Sequence, residues 1–162
     1  LVRALGGIAD PAVTQALLAL ASVEATDPMF GKSVRLDAIR ALFAIAAGGA
    51  LGSVARYLVG AGFARWLGEG FPWGTLAVNV IGGLVMGAVV GALPREAAPE
   101  LRAFLAVGVL GGFTTFSAFA FDAVSLLERG QTALAALYIG ASVLLAILAL
   151  ALGMAAVRWL SA

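Results

Sequence analysis

From about residue 39 onward, apolar residues fill four long blocks, and polar positions retreat to the joints between them. No charged residue lies between Glu69 and Arg95, between Arg102 and Asp122, or between Arg129 and Arg158. A helix of about 20 predominantly apolar residues crosses the hydrocarbon core of a bilayer. The pattern therefore predicts membrane-spanning helices at about 73–93, 101–127 and 132–159. A further span at about 39–66 carries a single charge in its interior, Arg56. The joints "LGEGFPW", "PREAAPE" and "LERGQ" are short, so neighbouring spans run antiparallel. The expected fold is an all-α integral membrane protein with four transmembrane helices.

The first 38 residues follow a different rule. Charges crowd there, and "VTQALLALASVEA" has helical apolar spacing, with Asp-Pro pairs at 10–11 and 27–28 marking turns or helix starts. The run "VRALGGIADPAVTQALLALA…VRLDAIRAL" looks like one HEAT-type helical repeat, although a single such unit cannot bury its own apolar face. Residues 1–38 are expected to form a short amphipathic helical extension of unassigned role, and 39–162 the membrane domain. No cleavable signal peptide is visible, and the first residue, Leu1, is compatible with a piece of a longer protein.

Composition narrows the chemistry. Apolar residues make up 62% of the chain, against ten basic and nine acidic residues in 162, where a soluble domain carries about 25% charge. A net charge of +1 gives no footprint for nucleic acid. The chain has no cysteine, which removes disulfides and thiolate chemistry, and no histidine, which removes the commonest proton shuttle and metal ligand. Nucleophile–base pairs, haem and zinc find no support, and an enzyme is not expected.

Glycines recur at small-xxx-small spacing: Gly48 and Gly52; Gly83, Gly87 and Gly91; Gly108 and Gly112. Such residues let helix backbones approach closely in lipid, where the hydrophobic drive between helices is weak. Intramembrane polar residues are few, and each must find a partner. Thr75 and Asn79 are four apart and share a helix face, as do Tyr138 and Ser142. The third span adds Thr114, Thr115 and Ser117 among Phe113, Phe116 and Phe119, with Asp122 following. Back-bonding to the helix accounts for any single hydroxyl. Jointly, four spans offering amide and hydroxyl donors with almost no carboxylates suggest a path lined for an anion. Arg56 adds positive charge, and phenyl rings offer a positive edge.

The centre of the third span reads "GGFTTFSAF", residues 111–119. "GGFTT" is a poor helix interior, since each glycine costs roughly 1 kcal/mol relative to alanine and threonine is stiff at χ1. A helix broken there frees backbone carbonyls and N–H groups, which must be satisfied by protein, water or an ion. Freed carbonyls suit a small cation such as Na⁺.

"GGALGSVARY" (48–57), "GTLAVNVIGGLVMG" (74–87), "GVLGGFTTFSAFAFD" (108–122) and "YIGAS" (138–142) together resemble the Fluc (CrcB) family of fluoride channels. The resemblance covers about residues 40–160 and excludes the N-terminal part. It implies four-helix subunits in an antiparallel, dual-topology homodimer in the cell membrane. Two pores would pass fluoride down its gradient, lowering cytoplasmic fluoride and giving fluoride resistance. By motif position, Asn79 and Ser142 resemble pore-lining polar residues, with Tyr138 and Thr75 close by. Phe116 and Phe119 resemble the phenylalanines whose ring edges face the ion, and Thr115 and Ser117 resemble members of a hydroxyl track. The backbone carbonyls of Gly111 and Thr114 resemble a structural Na⁺ site at the dimer centre, and Arg56 the first-helix arginine. The sequence departs from the common "TTFST" pattern at Ala118, which removes one hydroxyl from the track.

Two other classes remain open. A small four-span proton-coupled exporter of cations needs a carboxylate inside the bundle, and here the first span offers Arg56 while Asp122 falls near a helix end. A purely structural membrane subunit would pass no ion. Topology carries a tension of its own. Lys32, Arg35, Arg40, Arg95, Arg102 and Arg158 fall on one side of the membrane, and Arg65 and Arg129 on the other. Dual insertion expects a weak bias, so the tail tilts a core that is otherwise tolerable.

Overall fold

The computed structural model describes residues 28–93 and 98–161, the side chains from residue 38 onward. The chain divides into two compact units, 1–40 and 41–162, and both the helix packing and the candidate site belong to the second. The amphipathic, HEAT-like extension expected at the N-terminus falls largely on residues 1–27, outside the described residues. Helix α1 (Pro28–Leu67) begins well before the membrane entry expected near residue 39, at a proline suited to a first helical turn. It is followed by α2 (Trp73–Ala92), α3 (Pro99–Arg102), a π-helical stretch (Ala103–Leu110), α4 (Gly111–Phe113), α5 (Phe116–Glu128) and α6 (Thr132–Leu160).

Four segments are long and apolar enough to cross a membrane: Ala38–Leu67, Trp73–Ala92, Pro99–Glu128 and Thr132–Leu160. The third joins α3, the π-helical stretch, α4 and α5. Each lies within about two residues of the bounds the apolar blocks predict. The distribution of apolar side chains is that of a protein solvated by lipid. Leu42, Tyr57, Phe121, Leu144 and Trp159 project outward. The buried cluster holds only Phe119, Ala123, Leu126, Ala135 and Tyr138, with Phe71 and Leu76 packed against it.

Glycine positions explain how the helices are held. A Cβ built on Gly48 would lie 2.5 Å from the Phe104 carbonyl oxygen, and one on Gly52 would collide with that of Val109. From the other side, a Cβ on Gly112 would lie 2.6 Å from the carbonyl oxygen of Gly49. Helix α1 therefore rests backbone-to-backbone on the third span. The same device joins α2 to α6. A Cβ built on Gly83 would lie 2.7 Å from the Ala146 carbonyl oxygen, and one on Gly87 or Gly153 would collide with that of Leu150 or Leu84. In both pairs, contact positions rise together along the two helices, so each pair is parallel. With short joints between consecutive spans, this fixes an up-down-up-down order and packs α2 and α6 against the α5 half of the interrupted third span.

Because the Gly87 contact is with backbone, which cannot rotate away, overpacking there should cost about 1–3 kcal/mol. Gly87→Ala is expected to lower the melting temperature of the detergent-purified protein by several degrees. Gly62→Ala, where a new Cβ meets nothing within 4 Å, should leave it unchanged or slightly raised. Differential scanning fluorimetry on the pair checks this.

Candidate functional site

The third span loses helical geometry at two residues. Thr114 adopts φ −76°, ψ 158° and Thr115 φ −153°, ψ 123°, both extended. The polar groups of both threonines find partners. The Thr114 N–H and the Thr114 hydroxyl both donate to the Leu110 carbonyl, at 2.9 Å each. Thr115 caps α5: its hydroxyl accepts the Ala118 N–H at 3.2 Å, the N-cap arrangement that satisfies a first-turn donor.

Asn79, from α2, supplies the decisive contacts. Its Oδ1 accepts the Thr115 N–H at 2.8 Å, and its Nδ2 donates to the Thr115 carbonyl at 3.0 Å. One side-chain amide thus pairs with both polar groups of an extended residue, as a neighbouring strand would. In an uninterrupted helix the Thr115 N–H would serve the Gly111 carbonyl, so this pairing releases that oxygen from its helical bond. The Thr114 carbonyl accepts from Arg56 Nη1 at 3.3 Å. One turn along α2 from Asn79 and on the same face, the smallness of Gly82 admits the Thr114 methyl, which any Cβ would strike.

Beside the interruption lies a cavity of about 420 Å³. Asn79, Thr115, Phe116, Phe119 and Ser142 line it, with an apolar wall that includes Ile147. Among the described residues, no charged side chain lines it. Ser142 is 4% exposed, and its Oγ finds no hydrogen-bond partner among the described residues. The Tyr138 side chain, one helical turn away on α6, lies close to it; a buried hydroxyl without a full hydrogen bond costs about 1–3 kcal/mol, so this group can turn to something entering the cavity. The rings of Phe116 and Phe119 sit 5.4 Å apart, tilted by 46°. Phe119 is buried, whereas Phe116 is 79% exposed and stands at the open edge.

Phe119 continues toward the α5–α6 end, stacking 5.4 Å from the fully buried Tyr138. The Tyr138 hydroxyl donates to Asp122 Oδ2 at 3.3 Å, and Phe71 presents an edge-on ring 5.6 Å away. Asp122 and Thr75 line a second, smaller cavity of about 230 Å³ together with Glu69 and Arg129.

The structure thus gathers Asn79, Thr115, Phe116, Phe119 and Ser142 at one cavity. Thr75 lies at the second, and Tyr138 bridges toward it through Asp122. Ser117 is exposed and outside both linings, its hydroxyl 3.3 Å from that of Thr115. Arg56 and the Thr114 carbonyl lie at the interruption, with Gly111 exposed beside them. The sequence reading did not single out Gly82, Glu69, Phe71 or Arg129. Gly82 adjoins Gly83 within the glycine-rich face of α2, which is the pattern that could have flagged it. The other three sit in or beside short joints, where no periodicity marks them.

A family model described as "CrcB-like protein, Camphor Resistance (CrcB)" matches residues 43–154. A protein of Rhodospirillum centenum named "Fluoride-specific ion channel FluC" is 52% identical over 122 residues, covering 74% of this chain and 97% of the relative. Proteins of the same name from Nitrobacter winogradskyi and Agrobacterium fabrum are 53% and 54% identical, covering 72% and 68% of this chain and 94% and 90% of their own lengths.

Removing the Asn79 amide strands both polar groups of Thr115. With about 1–3 kcal/mol for each buried group left unsatisfied, Asn79→Ala should destabilise the purified protein by at least that much. Asn79→Asp should do no better, since a carboxylate facing the Thr115 carbonyl replaces attraction with repulsion. Chemical unfolding in mixed micelles, followed by tryptophan fluorescence, checks both.

Proposed function

The chain belongs to the CrcB family, and on that premise we propose that it is a fluoride-specific channel, passing fluoride down its electrochemical gradient and so lowering its level in the cytoplasm. The chain is a multi-pass membrane protein, and the family is one of ion channels rather than enzymes. The observation that carries the proposal is the cavity in which the unpaired Ser142 hydroxyl, the Asn79 amide and the Thr115 hydroxyl converge beside two phenyl rings, with no carboxylate in its lining.

Fluoride is small and strongly hydrated. A path that conducts it must replace lost water with donors, distributed so that no single site holds the ion too tightly. Ser142 supplies a free O–H. One Asn79 N–H remains after the other is spent on Thr115. Phe116 and Phe119 offer positive ring edges. Thr75 and Arg56 extend the donor set away from the cavity, Tyr138 adds a further ring beside Phe119 while its O–H is spent on Asp122, and Thr115 and Ser117 form a hydroxyl pair at the head of α5. In acid surroundings, hydrogen fluoride enters cells uncharged and ionises inside; a passive anion path then gives the trapped ion an exit and the cell fluoride resistance.

The open side of the cavity, edged by the exposed Phe116, supports an antiparallel homodimer inserted in both orientations, in which a second copy closes two such paths. The carbonyl oxygens at Gly111 and Thr114 fit a structural Na⁺: Gly111 has lost its helical N–H, and carbonyl oxygen is a hard ligand. The bound ion would add fixed positive charge at the centre and is not itself transported.

Phe116→Ile and Ser142→Ala, each reconstituted in liposomes, should slow fluoride efflux about tenfold or more, the effect of losing one favourable contact to an ion worth about 1.5–3 kcal/mol. A fluoride electrode reads the efflux. Wild-type rates in both variants, beside a conducting wild type, would reject the site assignment.

A further inference from the structure

Arg56 is the one charge in the interior of the first span. It is half-buried, and no carboxylate among the described residues pairs with it. A guanidinium stays charged in proteins and must be compensated when water is scarce. Its compensation here is the Thr114 carbonyl, at 3.3 Å. That oxygen is one of the two that fit the structural Na⁺. The neighbouring Thr115 carbonyl is already engaged by Asn79, so Arg56 serves the other carbonyl of the extended step.

We propose that Arg56 is a positioning residue that competes with the structural Na⁺ for the Thr114 carbonyl oxygen, acting as a built-in cation that satisfies the interruption while the ion is absent. The inference rests on the Na⁺ reading above and assigns it a regulator. Two positive charges on one oxygen lie within a few ångströms of each other and repel strongly where water is excluded. For the ion to bind, the guanidinium must release the oxygen or share it at a penalty. Arg56 thereby protects the extended Thr114–Thr115 step in a subunit without its ion, and raises the Na⁺ concentration needed to fill the site. Gly111, freed from its helical N–H by the Asn79 pairing, contributes an oxygen that Arg56 does not contest. The two ligands are therefore unequal, and only one is under the control of α1.

The test uses the full chain in detergent, with melting temperature followed across a Na⁺ series in which N-methyl-glucamine chloride keeps ionic strength constant. The wild type should be stabilised by Na⁺. Arg56→Gln, which keeps N–H donors but removes the charge, should melt lower without Na⁺ yet reach half-maximal stabilisation at a Na⁺ concentration at least about tenfold lower, as expected when a repelling unit charge leaves a low-dielectric site. Arg56→Lys, which keeps the charge, should retain the wild-type Na⁺ requirement. A merely structural arginine would lower the melting temperature equally at every Na⁺ concentration. An Arg56→Gln requirement equal to or above that of the wild type would overturn the inference. Should Arg56→Gln be recoverable only in Na⁺, that is the same outcome in stronger form; recovery in neither medium overturns the inference, because removing a competitor must leave a site the ion can fill. A wild type indifferent to Na⁺ would overturn the Na⁺ reading itself and this inference with it, a result recognisable because it needs no variant.

Discussion

A backbone that leaves helical geometry inside a bilayer must find partners for every group it exposes, because lipid supplies none. In this chain the exposure occurs at Thr114 and Thr115, and three side chains from three different parts of the molecule answer it. Asn79 pairs with both polar groups of Thr115, Arg56 reaches the Thr114 carbonyl, and the Thr115 hydroxyl caps α5. The interruption thereby ties α1, α2 and the third span into one polar knot. The cavity beside it exists because the main chain turns aside there. Donor placement and backbone geometry are consequences of the same step.

The surrounding bundle is built to hold that knot at close quarters. Glycine contacts press α1 onto the third span and α2 onto α6, main chain against main chain. Without them, Asn79 and Arg56 would be carried away from the residues they serve. Gly82 shows the coupling most directly: it leaves room for the Thr114 methyl three residues along α2 from Asn79. Packing in lipid depends on such fits rather than on a large apolar core. This accounts for a buried cluster as small as the one around Tyr138 and Leu126.

Much of this architecture could be read before any coordinates. Uninterrupted apolar blocks announce four spans, since a charge in the hydrocarbon is costly and its absence is conspicuous. The regular glycine spacing announces which faces meet. The membership of the cavity was partly legible through four-residue spacings, Thr75 to Asn79 and Tyr138 to Ser142, each of which brings its second member to the cavity. What periodicity does not disclose is how side chains are spent. Asn79 reads as a donor for a passing ion, yet half of its hydrogen-bonding capacity goes to the Thr115 backbone, a partner 36 positions away. Ser117 reads as part of a hydroxyl row, and its hydroxyl stands 3.3 Å from that of Thr115 on an exposed face. Arg56 reads as an unexplained charge until its carbonyl partner, 58 positions distant, is known. Pairings across such separations leave no trace in local pattern.

The central claim is that hydroxyl and amide donors with aromatic ring edges, arranged beside the interrupted third span, replace the water around fluoride well enough for it to flow. The most direct measurement is fluoride efflux from vesicles containing the purified chain, recorded with a fluoride-selective electrode against protein-free vesicles and against chloride efflux under the same gradient. The account predicts rapid, protein-dependent fluoride efflux with chloride retained. Fluoride leakage no faster than from empty vesicles, or equal passage of both halides, would contradict it.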